Sequence, residues 1–193
     1  MAIQVAGKKP TGEVKLKIEN NATLDLPKKT EENIQRIINS LPVEHIRGLE
    51  RIKLVDFIDD PRLKDVKAKV KMEGDLPGLY HPRVQNKSPW LEVSMGALLQ
   101  PTEGFFKRYM AKAGFKSNLA GLIFSLVGQH HFLTLRHSVK KQNLEPQIRQ
   151  YAEKNLRKWS EKESEKTIRG RLFKPLRPVI EKWVKWLNKR SKK

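Results

Sequence analysis

Apolar residues in this chain recur at two spacings, and the alternation between them marks out its elements. Glu13-Val14-Lys15-Leu16-Lys17-Ile18 alternates charged and apolar residues within an otherwise polar stretch from 1 to 29. That pattern predicts one short strand in a mobile arm or edge hairpin. Thr30 stands where an N-cap would, and Ile34, Ile37, Ile38 and Leu41 follow at helical spacing up to Pro42, predicting a helix of about three turns. Ile52-Lys53-Leu54-Val55-Asp56-Phe57-Ile58 is rich in branched and aromatic residues and stops at the turn signal Asp59-Asp60-Pro61, so it reads as a strand. The segment from Leu63 to Val70 fits both periods. Gly74, Pro77, Gly78, Pro82 and Pro89 then break the chain into loop and short strand before Trp90-Leu91-Glu92-Val93-Ser94-Met95, which alternates again.

The later half changes to helical spacing. Asn118 can cap a helix whose first turns, Leu119 to Phe124, are apolar on every side, which predicts a buried core helix. Its apolar run ends at Val127 and is too short for a bilayer, which needs about 20 residues. Leu144, Ile148, Tyr151, Ala152, Asn155, Leu156 and Trp159 share one side of a helix beginning near Asn143, with Pro146 tolerated in its first turn. Ser160 to Lys166 is charged and holds nothing to bury, which predicts a linker and a boundary. After Pro175 and Pro178, Val179, Ile180, Trp183, Val184 and Leu187 form an apolar stripe among Lys182, Lys185, Lys189 and Arg190.

Composition narrows the setting. At 193 residues and 38% hydrophobic, the chain is long enough for one domain with a core, and 32% charged residues imply exposed extensions. The absence of cysteine excludes disulfides and thiolate metal sites, and fits a reducing compartment. Met1 to Lys9 lacks the apolar run of a signal peptide, so a cytoplasmic location is the expectation. Forty Lys and Arg against twenty-one Asp and Glu give a net charge of +19, which implies affinity for nucleic acid, an acidic lipid surface or an acidic protein partner.

Phe105, Phe106, Tyr109, Met110 and Phe115 interleave with Lys107, Arg108, Lys112 and Lys116. Such a pattern suits stacking on single-stranded nucleic acid, and equally a helix with a core face and a solvated basic face. The basic tail helix suits an anionic membrane surface, a partner groove or its own domain, and Lys182, Trp183, Lys185, Trp186, Lys189 and Arg190 are its candidate contacts for a polyanion or partner. No phosphate loop, dinucleotide fingerprint or G-x-S-x-G elbow is present, and no histidine and carboxylate can be assigned beside Ser125 to make it a nucleophile.

The order Leu41-Pro42-Val43-Glu44-His45-Ile46-Arg47-Gly48-Leu49, strand, Gly78-Leu79-Tyr80, strand, then Ser125-Leu126-Val127-Gly128-Gln129-His130 and Glu145-Pro146-Gln147-Ile148-Arg149-Gln150-Tyr151-Ala152 resembles small bacterial gluzincin-like proteins, the HExxH zinc metallopeptidase fold. The resemblance spans roughly residues 30 to 160. It implies an α+β fold in which a short sheet packs on a buried central helix and a following helix, with basic extensions. The implied organisation is a polar arm at 1–29, a zincin-like domain at 30–160, and a basic linker with an amphipathic C-terminal helix at 161–193. It also implies that Trp90, Leu91, Glu92 and Val93 form the edge strand lining a substrate cleft.

In HExxH enzymes two histidines one helical turn apart grip the metal, and the intervening glutamate is the general base. By the resemblance Ser125 and Gln129 stand at the two ligand positions, Leu126 at the base and Glu145 at the third ligand. One ligand of three therefore survives. A residual polar or metal site would draw on His130, His131 and Glu145, helped by His45 or His81. However, adjacent His130 and His131 diverge by about 100° and His130 and His137 lie about 10.5 Å apart along a helix, so a satisfied histidine is the simpler reading. Glu145 also has a plain role, either at the positive end of a helix dipole or paired with a cation such as Lys141. The expectation is a degenerate metallopeptidase-like protein, without catalytic residues, metal or cofactor, that binds an acidic partner or polyanion. The alternatives are an unrelated nucleic-acid-binding protein and, less favoured, an active peptidase with relocated ligands.

Overall fold

A computed structural model describes residues 15–59, 76–99, 105–135 and 144–166. The segment Leu63 to Val70, His137, Lys141 and the tail residues Lys182, Trp183, Lys185, Trp186, Lys189 and Arg190 lie outside the described residues, as do the side chains of residues 105–113. Among the described residues the fold is α+β, with a four-stranded sheet and five α-helices. In chain order these are β1 (Lys17–Asn20), α1 (Thr30–Ile38), α2 (Val43–Ile46), β2 (Arg51–Val55), β3 (Gly78–His81), β4 (Trp90–Ser94), α3 (Met95–Leu99), α4 (Phe105–His130) and α5 (Leu144–Lys166). A π-helical turn, His131–Leu135, follows α4 directly. The chain divides into two compact units, Met1–Leu156 and Arg157–Lys193.

The sheet order is β1-β2-β4-β3, with the first three strands parallel and β3 antiparallel to β4. Alternation along the strands sorts the side chains by face. Ile52, Leu54, Leu91, Val93 and Tyr80 share the covered face, and the first four are fully buried. Gly78 lies on that face too, where an added Cβ would meet Leu122 at 2.9 Å and Leu126 at 3.0 Å, so β3 rests closely on α4. Ile34, Ile37 and Ile38 of α1 and Leu119, Ile123, Phe124 and Val127 of α4 fill the layer and are fully buried.

Several expectations need correction. Trp90–Ser94 is not an edge strand: β2 and β3 flank it on both sides, which leaves it no free backbone for an added peptide. Its neighbour β3 holds that edge. Among the described residues the N-terminal strand is Lys17–Asn20 and pairs in parallel with β2, while Glu13 and Val14 lie outside the described residues. Asp56 holds the chain leaving β1, accepting hydrogen bonds from Thr23 N at 3.0 Å, Thr23 Oγ1 at 2.6 Å and Leu24 N at 3.1 Å. These bonds hold the Asp56 carboxyl below its ordinary pKa.

Asn118 is no cap but an exposed residue inside α4, which begins thirteen residues earlier. No proline interrupts Phe105 to Asn118, and Gly114 costs a helix only about 1 kcal/mol. The charged run from Ser160 to Lys166 likewise continues α5. There Arg157 pairs with Glu161 at 3.3 Å, one turn on, and Ser160 and Ser164 donate back to the carbonyls of Arg157 and Glu161.

Candidate functional site

Gly121, Ser125 and Gln129 recur every fourth residue along α4 and so share one strip of it. Across from them Leu144, Glu145, Ile148, Arg149, Ala152, Glu153 and Leu156 line the facing side of α5, and the two strips enclose an open cleft of about 580 Å³. Glycine lets the helices approach. A Cβ on Gly121 would sit 3.6 Å from Leu156 Cδ2, an ordinary contact, whereas one on Gly128 would meet Tyr151 Cδ1 at 2.9 Å. The lining mixes apolar residues with Ser125, Gln129, Glu145, Arg149 and Glu153, of which Glu145, Arg149 and Glu153 are exposed. Three of the four positions that the sequence resemblance would put at a metal site, Ser125, Gln129 and Glu145, thus line one cleft. The fourth, Leu126, is buried and turned toward β3.

A zinc ion does not fit this donor set. Zinc sites in proteins are built from imidazole, thiolate and carboxylate groups, and the cleft offers at these positions a hydroxyl, a neutral amide and one carboxylate. Among the described residues no three His, Cys, Asp or Glu side chains gather to hold a metal.

His130 is turned away from the cleft and fully buried. Its Nε2 lies 2.9 Å from the Arg47 carbonyl oxygen and its Nδ1 3.1 Å from Tyr80 Oη. A carbonyl only accepts, so Nε2 carries the proton, and in the neutral ring Nδ1 accepts from the Tyr80 hydroxyl. Tyr80 Oη, its one proton committed, then accepts from Thr134 Oγ1 at 2.8 Å. Both ring nitrogens are engaged, so His130 has no lone pair for a metal. Burial holds its pKa below the ordinary value, against the opposing pull of the Arg47 carbonyl, and burial raises that of Tyr80.

His131 points elsewhere again. Its ring centroid lies 4.2 Å from that of His45 on α2 and 6.1 Å from Tyr151 on α5. His45 Nδ1 is 2.9 Å from Tyr151 Oη, and Phe132 meets Tyr151 edge-on at 6.0 Å. Burial lowers the pKa of His45, partly opposed by Glu44, and raises that of Tyr151 well above the usual phenol range. The structure therefore does not bring His130, His131 and Glu145 together. Two polar clusters replace that set, and periodicity gives no sign of them because their members are far apart in sequence. His45 and Tyr151, for example, are 106 residues apart.

On the sheet's other face His81 stacks on Trp90 at 3.7 Å with the rings 3° from parallel. His81 Nε2 donates to Glu92 at 2.8 Å, and Lys53 Nζ lies 3.7 Å from the other Glu92 oxygen. Arg51 and Lys53 sit over the Trp90 ring at 5.3 and 5.9 Å. Arg51 also pairs with Glu19 at 3.3 Å and Glu50 at 2.8 Å, so the cations of this face are matched by carboxylates. Trp90, Leu91, Glu92 and Val93 thus split between a stacked, ion-paired face and the core. Among the described residues no helix is long and apolar enough to cross a membrane. The chain matches no protein-family model, no curated protein and no solved structure.

Proposed function

We propose that this chain is a zincin-like protein that does not catalyse peptide hydrolysis and acts by binding an acidic partner or polyanion. The observation that carries the reading is the cleft shared by Ser125, Gln129 and Glu145, where the three positions that the resemblance assigns to zinc ligands offer one carboxylate and two neutral side chains. The α+β fold, with a helix pair around that cleft, is compatible with the reading. The engaged nitrogens of His130 count against an enzyme with relocated ligands.

Binding is supported by where the charge lies. Residues 15–59 carry eight Lys and Arg against eight Asp and Glu, and residues 167–193 carry ten against one. A segment so one-sided in charge is drawn to polyanions by counterion release.

Metal analysis of the chain purified without added metal, combined with a peptidase assay over a mixed peptide library, tests the first half of the reading. The expected result is substoichiometric zinc and no cleavage in either the wild type or Glu145→Ala. Stoichiometric zinc with cleavage that Glu145→Ala abolishes would overturn it.

A further inference from the structure

Two of the five histidines, His45 and His131, gather with Tyr151 beyond the C-terminal end of α4, and the proposed cleft uses neither. We propose that His45, His131 and Tyr151 form a proton-operated joint, which pins the first turns of α5 to α2 and to the end of α4 while both imidazoles are neutral and releases them when the pair is protonated.

Three elements meet here through rings alone: His45 comes from α2, His131 from the π-turn and Tyr151 from α5. The His45 to Tyr151 hydrogen bond at 2.9 Å ties α5 to α2. Within one helical turn, Gly128 lets α4 approach the same Tyr151 ring. Two imidazolium rings with centroids 4.2 Å apart repel each other in a partly desolvated site, so the closed joint resists taking up protons and opening relieves that resistance. A π-turn at this point is in keeping with a functional device, since such turns concentrate at functional sites.

Among the described residues the titratable groups facing the pair are Glu44 on α2 and Tyr151 on α5. Glu44 favours the charged His45, but burial outweighs it, and the ring stays below its ordinary value of 6.5. A lowered value fixes the sign: the neutral joint is intact above 6.5, and it loses its advantage as pH falls through the folded value. Because Glu145, Arg149 and Glu153 ride on the same part of α5, opening the joint moves one wall of the cleft. The joint itself does not depend on what the cleft binds.

Hydrogen exchange of the full chain, corrected for intrinsic rate, between about pH 7.5 and 5.5 tests the proposal. Amides of residues 147–155 are expected to lose protection several-fold toward the acid end while those of β2 and β4 keep theirs. The double variant His45→Gln with His131→Phe is expected to flatten that dependence. Equal protection of α5 at both pH values, loss of β2 and β4 in step with α5, or an unchanged dependence in the double variant would overturn the proposal. A readout on the wild type alone guards against a variant that fails to fold. The histidine ring resonances of the pair must titrate together with the α5 amide shifts, and titration at 6.5 without any α5 response would also overturn it.

Discussion

His130 ends a run that looks like a metal helix, yet its ring closes a chain from the Arg47 carbonyl through Tyr80 to Thr134. Removing it strands a buried carbonyl and a buried hydroxyl and leaves a hole in the core. His130→Ala is therefore expected to cost about 2–5 kcal/mol in urea unfolding at neutral pH. The charge state sharpens this. The folded pKa of His130 is depressed from 6.5, so the wild type's stabilisation is complete above 6.5 and declines as pH falls below it. His130→Ala lacks that contribution, and its stability curve should be flatter between about pH 7 and 5. If wild type and variant lose stability in parallel over that range, His130 is not the titrating group. The sequence supports the simpler reading of a satisfied histidine, because neighbouring rings on a helix diverge. The identity of its partners is not legible, since Arg47 and Tyr80 lie 83 and 50 residues away and are brought in by tertiary packing.

Elements are legible where a strong period meets a hard stop, and hard to bound where the stop is soft. The α1 periodicity ends against Pro42 and β2 runs into a turn cluster, and both lie within a few residues of where the pattern places them. Asn118 and the Ser160 to Lys166 run are soft signals that helix propensity overrides. The position of β4 inside the sheet is not readable at all, because pairing order is a property of the whole sheet and the alternation of Trp90 to Ser94 looks the same at an edge. Glycine at the helix crossing gives the element-scale prediction. At Gly128 an added Cβ would press on the Tyr151 ring at 2.9 Å, and at Gly96 it would meet the Asp56 carbonyl oxygen at 2.5 Å. The second neighbour is backbone and cannot swing aside. Gly96→Ala and Gly128→Ala should each cost about 1–3 kcal/mol. Gly128→Ala alone should perturb the α5 amide resonances around Tyr151, and a Gly96→Ala protein as stable as wild type would contradict the close packing of α3 on β2.

Across the whole chain the excess positive charge is uneven, and that unevenness decides where a polyanion should bind. The sheet face around Trp90 holds Arg51 and Lys53, but Glu19, Glu50 and Glu92 already pair with them, so a phosphate would have to displace a carboxylate to gain either cation. Lys182, Lys185, Lys189 and Arg190 lie in a segment with a single acidic residue, Glu181, and face no such competition from their own sequence. If the tail neutralises the phosphates, replacing these four by glutamine in the full chain should lower the slope of log affinity for duplex DNA against log salt by about 0.9 for each phosphate that is no longer neutralised. Neutralising Arg51 and Lys53 should leave the slope unchanged. Anisotropy titrations across a salt series measure both. Tight, salt-insensitive binding to an acidic protein, with weak binding to DNA, would instead identify a protein partner. A slope that responds to Arg51 and Lys53 and ignores the tail would move the binding surface to the sheet and separate it from the segment with the largest charge imbalance.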